Sequence, residues 1–422
     1  MNQKNWAGNY TYGAARWHTP QTTSDVQDVV KGADKVKVVG SRHSFNDIAD
    51  TPGDIISLER LEPVMAIDQA QNTVTISGNV RYGELCRYLY GKGFALPNLA
   101  SLPHITVAGA CATATHGSGD KNGNLATSVS ALEMVAADGQ VVDFSRDKEE
   151  ETFQGAVVGL GGLGVVAKMT LDLLPAFEVR QDVYEHLPWS QLEEHFDEIT
   201  ASAYSVSLFT DWQGDGIEQV WLKHRQTDNP SYEAASDLFG ARLAARKLHP
   251  IAALSAENCT EQMGVHGPWH ERLPHFRLDF TPSSGEELQS EYFVPRQQAA
   301  AALRAVREVR RQIAPLLLIS EIRTIAADSL WLSPCYRQDS VAIHFTWQRD
   351  WAGVRKLLPV IEEQLTPFAA RPHWGKLFMM PPERLAALYE KLPAFRQLAQ
   401  QLDPAGKFRN EFLDRTIFHD TN

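Results

Sequence analysis

The sequence predicts an α+β fold built as two domains, and three observations carry that prediction. Residues 1–175 alternate short amphipathic strands with short helices and glycine-rich turns. Composition shifts after Pro175: longer helices at about 189–203, 297–313 and 351–366 interleave with strands such as EIRTI and VAIHFTW, the pattern of helices laid on an antiparallel sheet. The chain has 422 residues, 43% of them apolar and 22% charged, which suits more than one domain and a large buried core. Boundaries are expected near 176 and 370.

The elements follow in order. Ser24 and Gln27 fit a capping box ahead of a short helix ending near Gly32. DKVKVVG alternates Val36 and Val38 with lysines and reads as a strand with one wet face. NTVTISG is a second such strand, and YGELCRYLYGKG a helix closed by Gly91 or Gly93. SLPHITVAGACATATHGSG is a long run of small residues without a period. ALEMVAADGQVVDF is a hairpin turning at Asp138-Gly139. In VVAKMTLDLLP, Val165, Ala167, Met169, Leu171 and Leu173 share one face. HPIAALSAENCTEQMG is a loop or helix on the rim of the second domain.

Charge and cysteine usage exclude several classes. Lys and Arg number 40 against 52 Asp and Glu, a net charge of -12, which speaks against nucleic acid or an anionic membrane as partner. Cys86, Cys111, Cys259 and Cys335 form no CxxC pair, so neither a disulfide framework nor a zinc site is expected. No apolar leader and no membrane-spanning run is visible, so the expected setting is cytoplasmic. His266, His270 and His275 cluster, but Gly267 and Pro268 break any helix that could present H-x3-H to a metal, and none is expected.

Gly159-Leu-Gly161-Gly162-Leu-Gly164 matches the dinucleotide-binding G-x-G-x-x-G. That motif requires a strand before the glycines and a helix after, so that the helix N-terminus meets the pyrophosphate. Here a helical DKEEETFQGAVV precedes and a strand follows. The expectation is a tight helix-to-strand turn, packed against a ligand, and no nicotinamide cofactor.

Two segments read as ligand cradles. In Val38-Val39-Gly40-Ser41-Arg42-His43-Ser44 a strand ends in a glycine and a turn rich in backbone N–H groups, a nest suited to a diphosphate, with a nucleophilic imidazole beside it. On pattern alone an ordinary strand-end turn fits as well. Thr106 to Gly119 offers small residues that let backbone approach a ligand, and hydroxyl donors; a packing loop is the alternative. A third constellation comes from strand period. Glu321 and Arg323 share one face with Leu317, Ile319 and Ile325, while His344 and Thr346 share a face opposite Val341, Ile343, Phe345 and Trp347. If these strands are neighbours, four polar groups converge; a structural ion pair and a satisfied core histidine are the alternative.

Taken together, GSRHS and ATHGSG resemble the FAD-binding domain of the vanillyl-alcohol oxidase superfamily, with Ala114 standing where glycine is common. Arg371-Pro-His373-Trp-Gly-Lys376 and LDPAGKFRNEFL resemble the ending of the aldonolactone and alditol oxidases. Phe45 to Ala49 and NLASLPH bring the resemblance nearer to the alditol (xylitol) oxidases. The resemblance spans 1–175 and 317–413, with little signal in 180–315.

It implies a two-domain flavoprotein: an FAD domain over 1–175, an antiparallel-sheet substrate domain over 176–370, and a segment 371–422 completing the FAD domain and active site. FAD would be wrapped by Val38, Val39, Gly40, Ser41, Arg42, His43, Ser44, Thr113, Ala114, Thr115 and His116, with Thr106, Gly109, Val165 and His373 in contact and His43 carrying a covalent bond. Ser101, Glu321, Arg323, Thr346 and Lys376 would bind a polyol, with Arg323, His344 and Lys376 catalytic: Arg323 and Lys376 acidifying the reacting hydroxyl, His344 the candidate base. The implied reaction takes the terminal hydroxyl of an alditol to the aldose and dioxygen to hydrogen peroxide, in a monomer. A sugar-lactone oxidase or dehydrogenase is the near alternative; a non-catalytic flavin- or sugar-binding protein is the distant one.

Overall fold

The computed structural model describes residues 3–148, 150–279 and 287–419. Among them, the N-terminal part is built on a small parallel sheet (Arg16–His18, Asp54–Ser57, Val36–Val39) beside a five-stranded antiparallel sheet. In the latter, Thr73–Ser77 and the Val129–Val135/Val141–Ser145 hairpin flank Val165–Asp172, which alternates buried and half-buried residues along its length. Gly139 turns the hairpin at φ +79°. Glu150–Val157 is a helix, and Val165–Asp172 follows the glycines as a strand, so the glycine run is a helix-to-strand turn.

Some local details differ from the sequence reading. The first helix, Thr23–Gly32, is capped by Thr22 with Asp25, two residues earlier than expected; Thr22 Oγ1 accepts from Asp25 N and the Asp25 carboxylate accepts from Thr22 N. Strand Val36–Val39 has no wet face. Lys37 is buried and its Nζ donates to Gly161 O (2.9 Å) and Phe408 O (3.3 Å). A parallel sheet is covered on both sides, and here the segment around Phe408 covers the side on which alternation alone placed solvent. The period-free run of small residues contains a short helix, Val107–Ala112. The rim segment near 250–264 is loop with one short 3-10 turn, Ala256–Asn258. The helix expected over 189–203 is two pieces broken at His195, and that over 297–313 is broken at Val309.

The second half is organised by one large antiparallel sheet. Its centre runs Ser205–Thr210, Leu317–Ile325, Ser340–Gln348, Glu287–Pro295. Helices Ala299–Glu308 and Trp351–Leu365 cover one face, burying Val341, Ile343, Phe345 and Trp347 in a common apolar cluster. The opposite face of the central strands turns toward the N-terminal part. A register shift between Leu317 and Ile319 sends Leu317 into the helix-covered cluster, so it does not share the Glu321 face as the simple period of two implied. Strand Arg371–Pro372 joins the edge of this sheet, while helices Pro382–Leu388, Leu392–Leu402 and Glu411–Thr416 bury their apolar faces in the core of the N-terminal part.

Candidate active site: a cavity between the cradle loops and the sheet

A cavity of about 560 Å³ runs from the first-strand loop to the free face of the large sheet. The strand Val36–Val39 delivers Gly40 to its floor. A Cβ on Gly40 would lie 2.2 Å from Thr106 Oγ1, and one on Gly109 2.8 Å from the same atom. Glycine at these two positions is therefore a condition of close approach between the two loops, and Ser41 Oγ fastens them by accepting from Thr106 N (3.2 Å). Phe45 N donates to Gly375 O (2.8 Å), and Asn46 Nδ2 donates to both Trp374 O and Lys376 O (2.8 Å each), so the first loop also holds the segment that carries Lys376.

Residues Val38 to Ser44, Thr106, Gly109, Thr113, Thr115, His116 and His373 all line the cavity. Ala114 and Val165 do not. Ala114 is buried with φ +53°, a left-handed conformation that explains why glycine is common there, and Val165 faces away into a core cluster while Val166 lines the cavity. Gly159, Gly161 and Gly164 line it too, so the rejected dinucleotide motif does face a ligand space.

At the other end the sheet register assembles the chemistry. Glu321 pairs across with His344, and His344 with Glu291, so three ionisable side chains form one row on three adjacent strands. Thr346 pairs with Gln289 in the next row. Ser101, Glu321, Arg323, His344, Thr346 and Lys376 all line the cavity.

Glu291 is the hub, and sequence reading missed it. Its Oε2 accepts from Lys376 Nζ (2.6 Å) and its Oε1 from Arg323 (2.7 Å), with His116 Nε2 3.2 Å away. Burial alone would raise its carboxyl, but Lys376, His116 and Arg323 outweigh this and hold it well below the usual carboxylate range. The same strand logic that isolated Glu321 would have found it, because Glu287, Gln289 and Glu291 alternate with Leu288, Ser290 and Tyr292.

Glu321 is likewise held well below its usual range: burial opposes ionisation, and Arg323 and His275 more than compensate. His275 Nε2 lies 2.7 Å from Glu321 Oε1. In the sequence His275 stands out only as a member of the 266–275 histidine cluster, and nothing local links it to Glu321.

His344 is engaged at both nitrogens. Lys376 donates to Nδ1 (2.9 Å), which puts the ring proton on Nε2, where Thr346 Oγ1 accepts it (3.1 Å). Burial, with Lys376 next, keeps this histidine neutral.

The cradle residues fit FAD. His43 sits in the cavity wall with Nδ1 3.0 Å from Ser41 O, its ring stacked on Trp6 at 5.0 Å, and its Nε2 buried without a partner among the described residues. Burial pushes its pKa down to about 4, so the imidazole is neutral. A glycine-floored cleft, hydroxyls from Thr106, Thr113 and Thr115, and a buried imidazole nitrogen with no partner among the described residues suit a flavin dinucleotide.

Comparison with known proteins agrees. A model described as "FAD binding domain" matches residues 14–145, and one described as "D-arabinono-1,4-lactone oxidase" matches residues 283–416. Cholesterol oxidase from B. sterolicum superposes with a TM-score of 0.77 over 98% of this chain and 96% of that one at 14% identity. Xylooligosaccharide oxidase from Myceliophthora thermophila superposes with 0.75 over 97% and 93% at 15%. The FAD-domain match, with the cavity that its residues line, defines the class: an FAD-dependent oxidoreductase. The alditol oxidase of a Streptomyces strain is 50% identical over 412 residues, 97% of each chain, and the L-gulonolactone oxidase of Mus musculus is 26% identical over 98% of each. The chain belongs to the alditol oxidase family.

Proposed function

We propose that this protein oxidises the terminal hydroxyl of a small alditol, such as xylitol or sorbitol, to the aldose, and that dioxygen is reduced to hydrogen peroxide. The observation that carries this reading is the row of Glu321, His344 and Glu291 with Arg323 on the cavity face of the sheet, and Lys376 brought against it from the segment after Pro372. Closely set charged donors and acceptors suit a ligand with a hydroxyl on each carbon, since each buried partner left unpaired is penalised.

Bound FAD would supply the hydride acceptor and the route of electrons to dioxygen. The residues lining the first half of the cavity would hold it, with His43 as the point of covalent attachment. Both partners of Glu321 among the described residues fall on Oε1, leaving Oε2 for a substrate hydroxyl. Among the described residues Arg323 Nε has no hydrogen-bond partner, and Lys376 uses two of its three donors. These two cations would stabilise the reacting oxygen as its proton leaves. His344, with its nitrogens taken by Lys376 and Thr346, would accept a proton only as Lys376 turns from Nδ1 to the substrate oxygen. Ser101 and Thr346 would hold further hydroxyls.

We take 1–175 with 371–422 as the FAD domain and 176–370 as the substrate domain. The protein would act as a cytoplasmic monomer, without nucleic acid or membrane; no helix among the described residues is long and apolar enough to cross a membrane.

The test is peroxide formation across xylitol, sorbitol, glycerol and aldonolactones, with the protein precipitated in acid afterwards. Peroxide from xylitol and yellow colour in the precipitate are expected. Peroxide from lactones alone would move the reading to a lactone oxidase, none from any substrate to a non-catalytic protein, and free flavin in the supernatant would remove the covalent bond to His43.

A further inference from the structure

We propose that Lys223 is a positioning residue for substrate recognition: by fixing one tautomer of His275, it sets the Glu321 carboxylate for the polyol. The inference rests on the polyol reading of the site. Lys223 lies in strand Gly216–Arg225, is 1% exposed, and pairs with no carboxylate among the described residues. Its Nζ reaches Leu273 O (2.5 Å), Pro274 O (3.2 Å) and His275 Nδ1 (3.1 Å), one partner for each proton of the ammonium form.

Burial pushes the Lys223 ammonium down to about 7, with Glu321 opposing the shift; in its protonated form Nζ has no lone pair, so Nδ1 of His275 is then the acceptor. Burial holds this histidine neutral, with a pKa pushed down to about 4, so its one ring proton sits on Nε2. That proton is donated to Glu321 Oε1 at 2.7 Å. Trp221 and Phe209 pack edge-on against the ring at 5.3 and 5.5 Å and fix its plane. The same segment carries a second link to the site: His275 N donates to Ser101 O (3.2 Å).

With the other tautomer, Nε2 would present a lone pair to the carboxylate. Glu321 would then lose its hydrogen bond and swing toward Arg323 Nε, now 3.5 Å away. A buried ammonium is costly, and methionine would fill the same space without that cost. What methionine could not do is choose the proton's place on His275.

The test uses the flavin-loaded enzyme. In Lys223→Met, anaerobic flavin reduction by xylitol should need roughly tenfold more polyol for half-saturation, while the limiting rate changes far less. Adding Lys223→Met to Glu321→Gln should bring little further loss, because the two act on one contact. Nitrogen NMR of histidine-labelled protein should show Nε2–H on His275 in the wild type and a mixture of tautomers in Lys223→Met. Lys223→Arg, which keeps donors, should stay close to wild type. If Lys223→Met does not fold, His275→Gln replaces it: it retains an N–H for Glu321 that nothing orients, and a wild-type half-saturation there overturns the proposal. Unchanged half-saturation or an unchanged tautomer in Lys223→Met also overturns it, as does full additivity with Glu321→Gln. A wild-type enzyme that no polyol reduces would instead overturn the reading of the site on which this rests.

Discussion

At the scale of single residues, the site is a balance of buried charge. Glu291 neutralises Arg323 and Lys376 together, and its removal leaves two cations facing one another out of water. Breaking a buried pair from one side costs about 3–5 kcal/mol. Glu291→Gln should therefore lower the melting temperature and abolish flavin reduction by xylitol; a stable, active variant would show that the hub is dispensable. Glu321 differs, because one oxygen is left for a ligand. Glu321→Gln keeps the shape and loses one charge-assisted hydrogen bond, worth about 1.5–3 kcal/mol. It should cut kcat/KM for xylitol roughly ten- to hundredfold with little change in melting temperature. Arg323→Lys keeps charge but not the planar fork, and should also be impaired. Normal reduction rates in both variants, once folded and flavin-loaded, would move them out of the site.

At the scale of elements, the C-terminal helices hold the first loop in place. Asn410 caps helix Glu411–Thr416 by accepting from Leu413 N (3.0 Å), and its Nδ2 donates to Asp47 O, Ile48 O and Asp50 O (3.1, 3.2 and 2.8 Å). Asn410→Ala should destabilise by about 2 kcal/mol, while Asn410→Asp keeps the cap and loses the donors. If thermal unfolding finds Asp as benign as the wild type, the tie to residues 47–50 contributes nothing. The loop at Ala114 offers the reverse test. A left-handed alanine costs about 1–2 kcal/mol, partly recovered in the unfolded chain, so Ala114→Gly should raise stability by up to about 1 kcal/mol. A lower melting temperature in that variant would contradict the strain assigned there.

At the scale of the whole molecule, acid should be the weak side. His224 and His275 have pKa values lowered to about 4 by burial, and burial also lowers His116, His344 and His373. For His224 and His275 the unfolded chain binds protons below about pH 6.5 while the folded chain refuses them until about pH 4, so stability falls as pH drops through that window, and the other three act in the same direction. For a fully buried ring, a depression of this size amounts to about 3 kcal/mol. Glu321 and Glu291 act lower still: held below the usual carboxylate range, they contribute stability above about pH 4 that is lost only on further acidification. Melting temperature measured from pH 8 to pH 4 should fall steadily below about 6.5; a flat profile there would mean that these histidines are not buried neutral.

Features that depend on neighbours along the chain can be read from the residues alone. The alternation of Val165–Asp172, the hairpin at Asp138-Gly139, and the helix-then-strand order around the glycine run were all legible, because period and turn chemistry are local. So were the two cradle loops, whose small residues and hydroxyls announce close approach, and the polar faces of Glu321/Arg323 and His344/Thr346. What the sequence could not give was which strand lies beside which. A period of two says which side chains share a face, but only pairing order sets their neighbours. Glu291 became the hub because Glu287–Pro295 pairs with Ser340–Gln348 and not with a strand nearer in sequence. Lys37 and Lys223 look like solvated lysines until segments more than 45 residues away supply the carbonyls that bury them. The bulge that removes Leu317 from the site face left no mark in its apolar run, since either face of that strand end accepts leucine. Register and distant cover are decided by burying the most apolar surface over the whole chain at once, and that sum exists only in the tertiary structure.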